Sequence, residues 1–198
     1  MAATIRLTAL AVEGIGDFGR AVADRLIVAG ARPASTEWDG VEALAVVSWR
    51  PEPTDTYAQR ASTHGIPWYG VFIDHPHVIA GPWVEPAGGG CHECYRLRRR
   101  QHDTAADTRQ AILDAYAADS GLGVYGHLPQ HVRFAEAAIR NAIATRRTGY
   151  VTTWPLTGGT PLTTHLVPRH GCKTCRATTW GDPRLSQLID GLTAGGAA

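Results

Sequence analysis

The four cysteines of this 198-residue chain occur as two Cys-x-x-Cys pairs. Cys91 and Cys94 form the first pair, and Cys172 and Cys175 form the second. Two intervening residues allow both thiolates of a pair to reach one ion, and two pairs supply the four sulfurs of a tetrahedral zinc site. A thioredoxin-like redox centre would use one pair at the start of a helix and leave the other without a role. The spacing therefore predicts a structural Zn2+ ion bound by all four cysteines.

This ligand set also limits the chemistry of the site. Four thiolates close the coordination shell of zinc, so no position remains at which the metal could activate water. Because the two pairs are far apart in the sequence, we expect the metal to clamp two remote segments, and folding of the carboxyl-terminal part to depend on it. His92 lies inside the first pair but is not needed as a ligand. With every cysteine committed, no Cys-His or Ser-His-Asp nucleophile set is visible, and we predict no catalytic residue.

A glycine string near the amino terminus is a second candidate site. It follows the G-x-G-x-x-G pattern and consists of Gly14, Gly16 and Gly19. Such a string can bind a phosphate group at a helix amino terminus, or it can form a tight strand-to-helix turn that packs closely. Asp17 would place a negative charge beside the phosphate, and Glu37 or Asp39 matches only loosely the acidic residue expected about 20 positions later. These residues favour a packing role, and we do not expect the chain to bind ATP.

Two charged segments could also bind ligands. Four arginines follow the first cysteine pair, at Arg96, Arg98, Arg99 and Arg100. They could attract an acidic peptide, offset the negative charge of zinc with four thiolates, or form a solvated helix face. The segment Asp74-His75-Pro76-His77 resembles a small acid/base or metal cluster, but Pro76 and the strand context favour a loop.

The elements that must position these residues alternate between strands and helices in the first half of the chain. Strands are predicted at Thr4–Val12, around Ala34–Trp38, at Ala43–Trp49 and at Ile66–Ile73. One helix is predicted after the glycine string, with Gly30 as its stop, and another at Thr54–Thr63. The alternation predicts an α/β fold with a mostly parallel, Rossmann-like sheet over residues 1–86.

The second half is predicted to present the cysteine pairs. Val78–Val84 leads to the first pair, and Tyr95–Thr148 has a helical pattern with a glycine-rich break at Gly121–Leu128. Tyr150–Trp154 and Pro161–Val167 are predicted to form an antiparallel hairpin leading to the second pair. We therefore expect one domain, 1–192, with a Rossmann-like half at 1–86, a knuckle and helical segment at 87–149, and a hairpin with the second knuckle at 150–180. A flexible tail at 193–198 would follow.

The composition restricts the class of protein. The 19 Lys and Arg residues nearly balance the 18 Asp and Glu residues, and a net charge of +1 argues against a nucleic-acid or membrane-surface partner. No stretch has the roughly 20 apolar residues of a membrane span, and the amino terminus lacks the apolar core of a secretory signal. We therefore expect a cytoplasmic protein, whose reduced thiols bind metal rather than form disulfides.

Two segments carry a resemblance to a known family. One is Ala80-Gly-Pro-Trp-Val-Glu-Pro86, which leads into Gly90-Cys-His-Glu-Cys-Tyr-Arg-Leu-Arg98, and the other is His165-Leu-Val-Pro-Arg-His-Gly-Cys-Lys-Thr-Cys175. After a Rossmann-like half, they resemble the ThiF-like (ubiquitin-activating-type) cyclodehydratase component of thiazole/oxazole-modified peptide biosynthesis. In that family a Gly-Pro-x-Val segment precedes the first Cys-x-x-Cys, and a second Cys-x-x-Cys completes a zinc site of four thiolates.

The resemblance implies an accessory role in RiPP biosynthesis, the production of modified ribosomal peptides. Such proteins present the precursor peptide to, or activate, a YcaO-type partner that uses ATP to close azoline rings. This chain begins at its first Rossmann strand, so it resembles a short form without the amino-terminal leader-recognition module. A separate protein would then recognise the leader. The resemblance also suggests a homodimer.

Two other functions remain open at the level of sequence. One is an ATP-dependent, carboxylate-adenylating ThiF-like enzyme, but such relatives carry an Asp-x-x-Asp-Asn metal site after the third strand, where this chain has Ser48-Trp49-Arg50-Pro51. The other is a nicotinamide oxidoreductase, which the glycine string alone would support. We therefore predict a zinc-binding accessory or scaffold protein that is a non-catalytic subunit of a cyclodehydratase.

Overall fold

A mixed α/β fold is built around one seven-stranded sheet in the computed structural model, which describes residues 5–35, 38–51, 54–86, 90–119, 121–122, 126–169 and 172–173. A short 3-10 helix, Leu7–Ala9, precedes the first strand. The strands are β1 (Leu10–Ile15), β2 (Arg32–Pro33), β3 (Ala43–Ser48), β4 (Trp68–Asp74), β5 (His77–Val84), β6 (Tyr150–Pro155) and β7 (Leu162–His165). The helices are α1 (Gly16–Val28), α2 (Thr54–Thr63), α3 (His92–His102), α4 (Ala106–Ala118) and α5 (Pro129–Thr145).

The sheet changes direction halfway across. Its order is β2-β1-β3-β4-β5-β6-β7; the first four strands are parallel, and β4 to β7 are antiparallel. The prediction of a mostly parallel sheet over residues 1–86 therefore holds for β1 to β4, whereas β5 joins β4 in antiparallel fashion. The reason is the two-residue connection His75-Pro76 between β4 and β5, which is far too short for the crossover that a parallel pair requires.

The first two strands begin and end elsewhere than predicted. The predicted strand Thr4–Val12 is wrong at its start, because Leu7–Ala9 is a 3-10 turn and β1 continues to the glycine string. Ile5 instead donates its N–H to the carbonyl of Ile143 at the end of α5. The strand predicted around Ala34–Trp38 is wrong at Ala34, Ser35 and Trp38, which lie in no strand, and residues 36–37 lie outside the described residues. β2 is instead Arg32–Pro33.

The remaining predicted elements are confirmed with small shifts. α2 covers the predicted Thr54–Thr63, and β3 and β5 match their predicted strands to within one residue. Three helices, α3, α4 and α5, occupy the predicted helical stretch. β6 and β7 form the predicted antiparallel hairpin. The tail at 193–198 lies outside the described residues.

The core has a layer on each face of the sheet. β3 is buried along its whole length, because helices cover both of its faces. α1 and α5 pack on one face through residues such as Phe18 and Ile139, and α2 packs on the other through Tyr57 and Ala61. A third, smaller cluster contains the cysteines and packs against β5 and β6. No described helix is long and apolar enough to cross a membrane.

Candidate functional site

The structure brings three of the four predicted cysteines together. The sulfur atoms of Cys91, Cys94 and Cys172 lie within 4.8 Å of one another, and all three residues are buried. Cys91 immediately precedes α3, Cys94 lies in its first turn, and Cys172 follows the segment that leaves β7. Cys175 lies outside the described residues. These three residues, the thiol cluster, thus join two segments that are remote in sequence. Their sulfur atoms are close enough together for one ion to bind all three.

The geometry of the thiol cluster fits a tetrahedral metal. With Zn–S bonds of about 2.3 Å, two sulfurs along a tetrahedral edge are about 3.8 Å apart, and the Cys91 and Cys172 sulfurs are 3.7 Å apart. That separation is far beyond the roughly 2 Å of a disulfide bond, so no disulfide joins Cys91 to Cys172. The backbone N–H of Arg169 donates to the Cys94 sulfur at 3.2 Å, a contact that stabilises a thiolate. The residues present therefore fit Zn2+.

Contacts from α3 and from Gly90 hold the second cysteine segment against the first. The Arg98 guanidinium donates to the carbonyls of Val167 and Pro168 at 3.3 and 3.4 Å. The Cys172 N–H donates to the Arg169 carbonyl at 3.2 Å. Gly90 is needed for close packing, since a Cβ atom there would lie 3.1 Å from Cδ2 of Leu166.

His92 is buried beside the thiol cluster. Its ring stacks on Trp68 with 4.5 Å between centroids and meets the edge of Phe72 at 5.4 Å. Its Nε2 atom has no hydrogen-bond partner among the described residues and faces Gly70, where a Cβ would lie 2.8 Å from it. Burial lowers the pKa of His92 to about 3, so the ring is neutral near pH 7.

The four arginines of α3 have different surroundings. Arg96 pairs with Glu93 at 2.8 Å on the surface, and Arg100 lies 3.7 Å from Asp107. Arg99 is largely buried and pairs with Asp74 at the end of β4, so a solvated helix face does not describe it. Arg98 contacts backbone carbonyls and Gln101.

Asp74 is the centre of an ion-pair network that the sequence reasoning missed. Besides Arg99, it accepts a hydrogen bond from Arg109 of α4 at 2.9 Å, and Arg109 also pairs with Asp103 at 2.6 Å. Burial and the charge of Arg109 lower the pKa of Arg99, whereas Asp103 opposes this shift. The bond from Arg109 and the N–H of Ala105 hold the pKa of Asp103 below its usual value.

This network lies in a cleft between the sheet and helices α3 and α4. The cleft encloses about 300 Å³, and an adjoining cavity of about 240 Å³ extends it past Trp49 and Tyr116. His75 and Pro76 form the turn beside Asp74, so the predicted loop in that segment is confirmed. The only signal for Arg109 and Asp103 was their charge, because a separation of six positions is not a helical contact spacing.

The glycine string forms the predicted turn from β1 into α1. Gly16 has φ of +70°, and a Cβ on it would lie within 3.0 Å of the Trp49 ring. A Cβ on Gly19 would come within 3.0 Å of the Val47 carbonyl oxygen. Asp17 forms an exposed ion pair with Arg20 at 2.5 Å. Close packing of α1 on β1 and β3 therefore accounts for glycine at these positions.

Comparisons with known proteins identify the fold. No protein-family profile matches the chain, and no curated protein sequence is similar to it. Among solved structures, 85% of the chain superposes on 28% of the heterocyclase TruD, at 19% identity and a TM-score of 0.60. It also covers 67% of a chain in the Escherichia coli microcin synthetase McbBCD complex, at 11% identity and a TM-score of 0.60. E. coli MccB is similar over 89% of this chain and 69% of its own, at 12% identity and a TM-score of 0.52.

At identities of 19%, 12% and 11%, these similarities show a shared fold alone. The chain spans less than a third of the length of TruD. The mixed sheet and the following helices are thus an arrangement seen in proteins of peptide heterocycle and microcin biosynthesis.

Proposed function

We propose that this chain is a zinc-binding accessory or scaffold protein serving a YcaO-type, ATP-dependent cyclodehydratase in the biosynthesis of an azoline-containing ribosomal peptide. The observation that carries the proposal is the buried cluster of Cys91, Cys94 and Cys172, which joins two remote segments. The shared fold with a heterocyclase and a microcin synthetase complex supports it. In this function the chain presents the precursor peptide to its partner or activates that partner through protein contacts.

Zinc would have a structural role here. Cys91, Cys94 and Cys172 would hold the ion, and the spacing of the second pair adds Cys175 as the fourth ligand. When bound, the ion would cross-link the two segments, and its binding free energy would stabilise the folded chain. The residues of the chain then fix the start of α3 against the segment that follows β7, through the Arg98 and Arg169 contacts. The result is a rigid surface for partners rather than a reaction centre.

The alternative function is ATP-dependent adenylation of a carboxylate. It requires space for a nucleotide beside the glycine turn and carboxylates for a magnesium ion. Trp49 packs against Gly16 in that place, and Ser48-Trp49-Arg50-Pro51 contains no carboxylate. These residues favour the scaffold over the adenylating enzyme.

Reconstitution tests the proposed function. The YcaO-type partner and its precursor peptide are incubated with ATP, with and without this chain, and ring formation is followed as the loss of one water per ring in the mass spectrum. We expect ring formation to rise with added chain up to one equivalent. The Cys94→Ser variant should fail to stimulate it, whereas the surface variant Val28→Thr should act as the unaltered chain does. Equal turnover without the chain would reject the scaffold role, and ATP–pyrophosphate exchange by the chain alone would favour adenylation.

A further inference from the structure

A second groove lies on the other side of α3, between that helix and the β6–β7 hairpin. It encloses about 490 Å³ and is open to solvent. Its lining comprises Tyr95, Arg98, Arg99 and His102 of α3, Val151 of β6, and residues 164–167. Among the described residues that line it, none is a carboxylate, and Arg99 alone is paired with an acid, Asp74. The described lining therefore carries the guanidinium of Arg98 without an acidic partner.

Arg98 is the best-placed cation of this groove. Its three hydrogen bonds are long, between 3.3 and 3.4 Å, and all go to neutral oxygens of Val167, Pro168 and Gln101. A carboxylate is a stronger acceptor for guanidinium than a backbone or amide oxygen. An acidic side chain in the groove would thus gain a charge-assisted hydrogen bond without breaking an ion pair.

β7 borders this groove and is the outermost described strand on that side of the sheet. Leu166 donates its N–H to the Gly149 carbonyl at 2.6 Å, which marks these opposite residues as a hydrogen-bonded pair. Because such pairs alternate along an antiparallel ladder, Val151 and Thr164 form the next one. Thr163 and His165 therefore turn their peptide N–H and C=O groups away from β6, toward the outer edge of the sheet.

Apolar side chains flank this edge. Leu162 begins β7 and Val167 follows it, and both are among the few large apolar residues that are exposed in the described part of the chain. All four residues of β7 are exposed. An edge strand with free peptide groups, apolar neighbours and no acidic residue is a template for pairing with another strand.

We propose that the β7 edge and the groove beside it bind an extended, acidic peptide segment, which adds to the sheet as a further strand. Its backbone pairs with Thr163 and His165, its acidic side chains face Arg98 and His102, and its apolar side chains cover Leu162 and Val167. Charge argues against a second copy of this chain, since joining two β7 edges would bring two Arg98 side chains of like charge together. The identification of this segment as part of a precursor peptide rests on the proposed function.

Peptide binding to the full chain tests the inference. The probe is a fluorescein-labelled peptide of four Val-Glu repeats, with a Val-Gln peptide of equal length as its control, and binding is followed by fluorescence anisotropy. We expect the Val-Glu peptide to bind more tightly, with an affinity that falls as salt is raised from 50 to 300 mM, about the range over which surface charges become screened. A Val-Glu peptide N-methylated at alternate residues should lose binding, because it cannot complete the edge pairing.

Variants of the chain locate the site. Arg98→Gln should weaken binding of the Val-Glu peptide about three- to fivefold, the effect of one exposed ion pair, and Arg98→Lys should restore part of it. Arg133→Gln on the distant α5 is the matched control and should have no effect. Thr163→Pro removes an outward N–H and should weaken binding at least as much, whereas Thr163→Val keeps that N–H and should not. Thermal unfolding of each variant verifies that it is folded.

Several results would overturn the inference. These are equal binding of the Val-Glu and Val-Gln peptides, undiminished binding of the N-methylated peptide, or equal effects of Arg98→Gln and Arg133→Gln. A dimer in analytical ultracentrifugation that Thr163→Pro dissociates, without peptide binding, would show that a second copy occupies the edge. The proposed function fails separately. If the chain binds the peptide but does not stimulate ring formation, the proposed function is rejected and the peptide site stands. If variants that lose peptide binding still stimulate ring formation, the proposed function stands and the groove is not where the precursor peptide binds.

Discussion

Neutralising Asp74 should release helix α4 while leaving the core intact. α4 contributes no buried residue to the fold. It is attached by the ion pair of Arg109 with Asp74, by a hydrogen bond from Arg50 to the Tyr116 carbonyl, and by packing of Tyr116 on Trp49. The Asp74→Asn substitution keeps the size of the side chain and removes its charge. The two arginines would then face each other with Asp103 as the nearest acid for both.

The cost follows from the burial of the three groups. Exposed ion pairs contribute up to about 1 kcal/mol, and removing one partner of a fully buried pair costs about 3–5 kcal/mol. The side chains of Asp74, Arg99 and Arg109 are 14%, 22% and 31% exposed, which places them between these limits. Two pairs share the one carboxylate, so we expect Asp74→Asn to cost about 2 kcal/mol.

Hydrogen exchange measured by mass spectrometry checks this expectation. A loss of about 2 kcal/mol in local stability should speed exchange of the α4 amides about 30-fold, since about 1.4 kcal/mol corresponds to a factor of ten. The amides of α1 should change less, because their protection depends on the buried core. Asp17→Asn is the control; it removes the exposed pair with Arg20 and should leave α4 unchanged. Equal acceleration in α1 and α4, or none in α4, would refute the reasoning.

Three other perturbations have defined outcomes. Cys94→Ser should bind far less zinc than the unaltered chain by elemental analysis and should unfold or aggregate, since structural zinc contributes on the order of 10 kcal/mol; a metal-free chain of unchanged stability would contradict this. Gly19→Ala should cost about 2–3 kcal/mol by urea unfolding, because its Cβ would clash with the Val47 carbonyl, whereas Gly126→Ala, with nothing within 4 Å, should cost little. Burial lowers the pKa of His92 to about 3 in the folded chain. Between pH 6.5 and 3 the unfolded chain therefore binds one more proton at His92 than the folded chain does. The free energy of unfolding then falls by up to about 1.4 kcal/mol for each pH unit by which the pH is lowered. His92→Phe should lose that part of the slope between pH 6.5 and 5.5, and an unchanged slope would disprove the assignment.

The sequence predicts local elements and the thiol cluster well, for physical reasons. α2 is recognisable because Tyr57 and Ala61 lie four residues apart on one helix face, and β3 because an unbroken apolar run of strand length is typical of a strand buried on both faces. Cys91, Cys94 and Cys172 lie together as predicted, because the spacing of two Cys-x-x-Cys pairs is typical of thiols that converge on one site. The start of β1 and the position of β2 depend on contacts with α5 and with the neighbouring strand, and such tertiary contacts leave no local pattern. The change from parallel to antiparallel pairing was encoded only in the length of the His75-Pro76 turn.

The ion-pair network was hidden for a different reason. Asp74, Arg99 and Arg109 lie on three separate elements, and charged residues on surfaces are so common that their presence predicts no contact.

One helix connects the two parts of the candidate site. α3 begins at the thiol cluster with Cys91 and Cys94, and near its other end Arg99 binds Asp74 in the cleft. Between them, Arg98 holds the segment that carries Cys172 and lines the groove beside β7. α3 is therefore anchored by the thiol cluster at its start and by the ion pair with Asp74 near its end. In the zinc-bound state that we propose, the ion would fix the start of α3, and with it one wall of the cleft and of the groove.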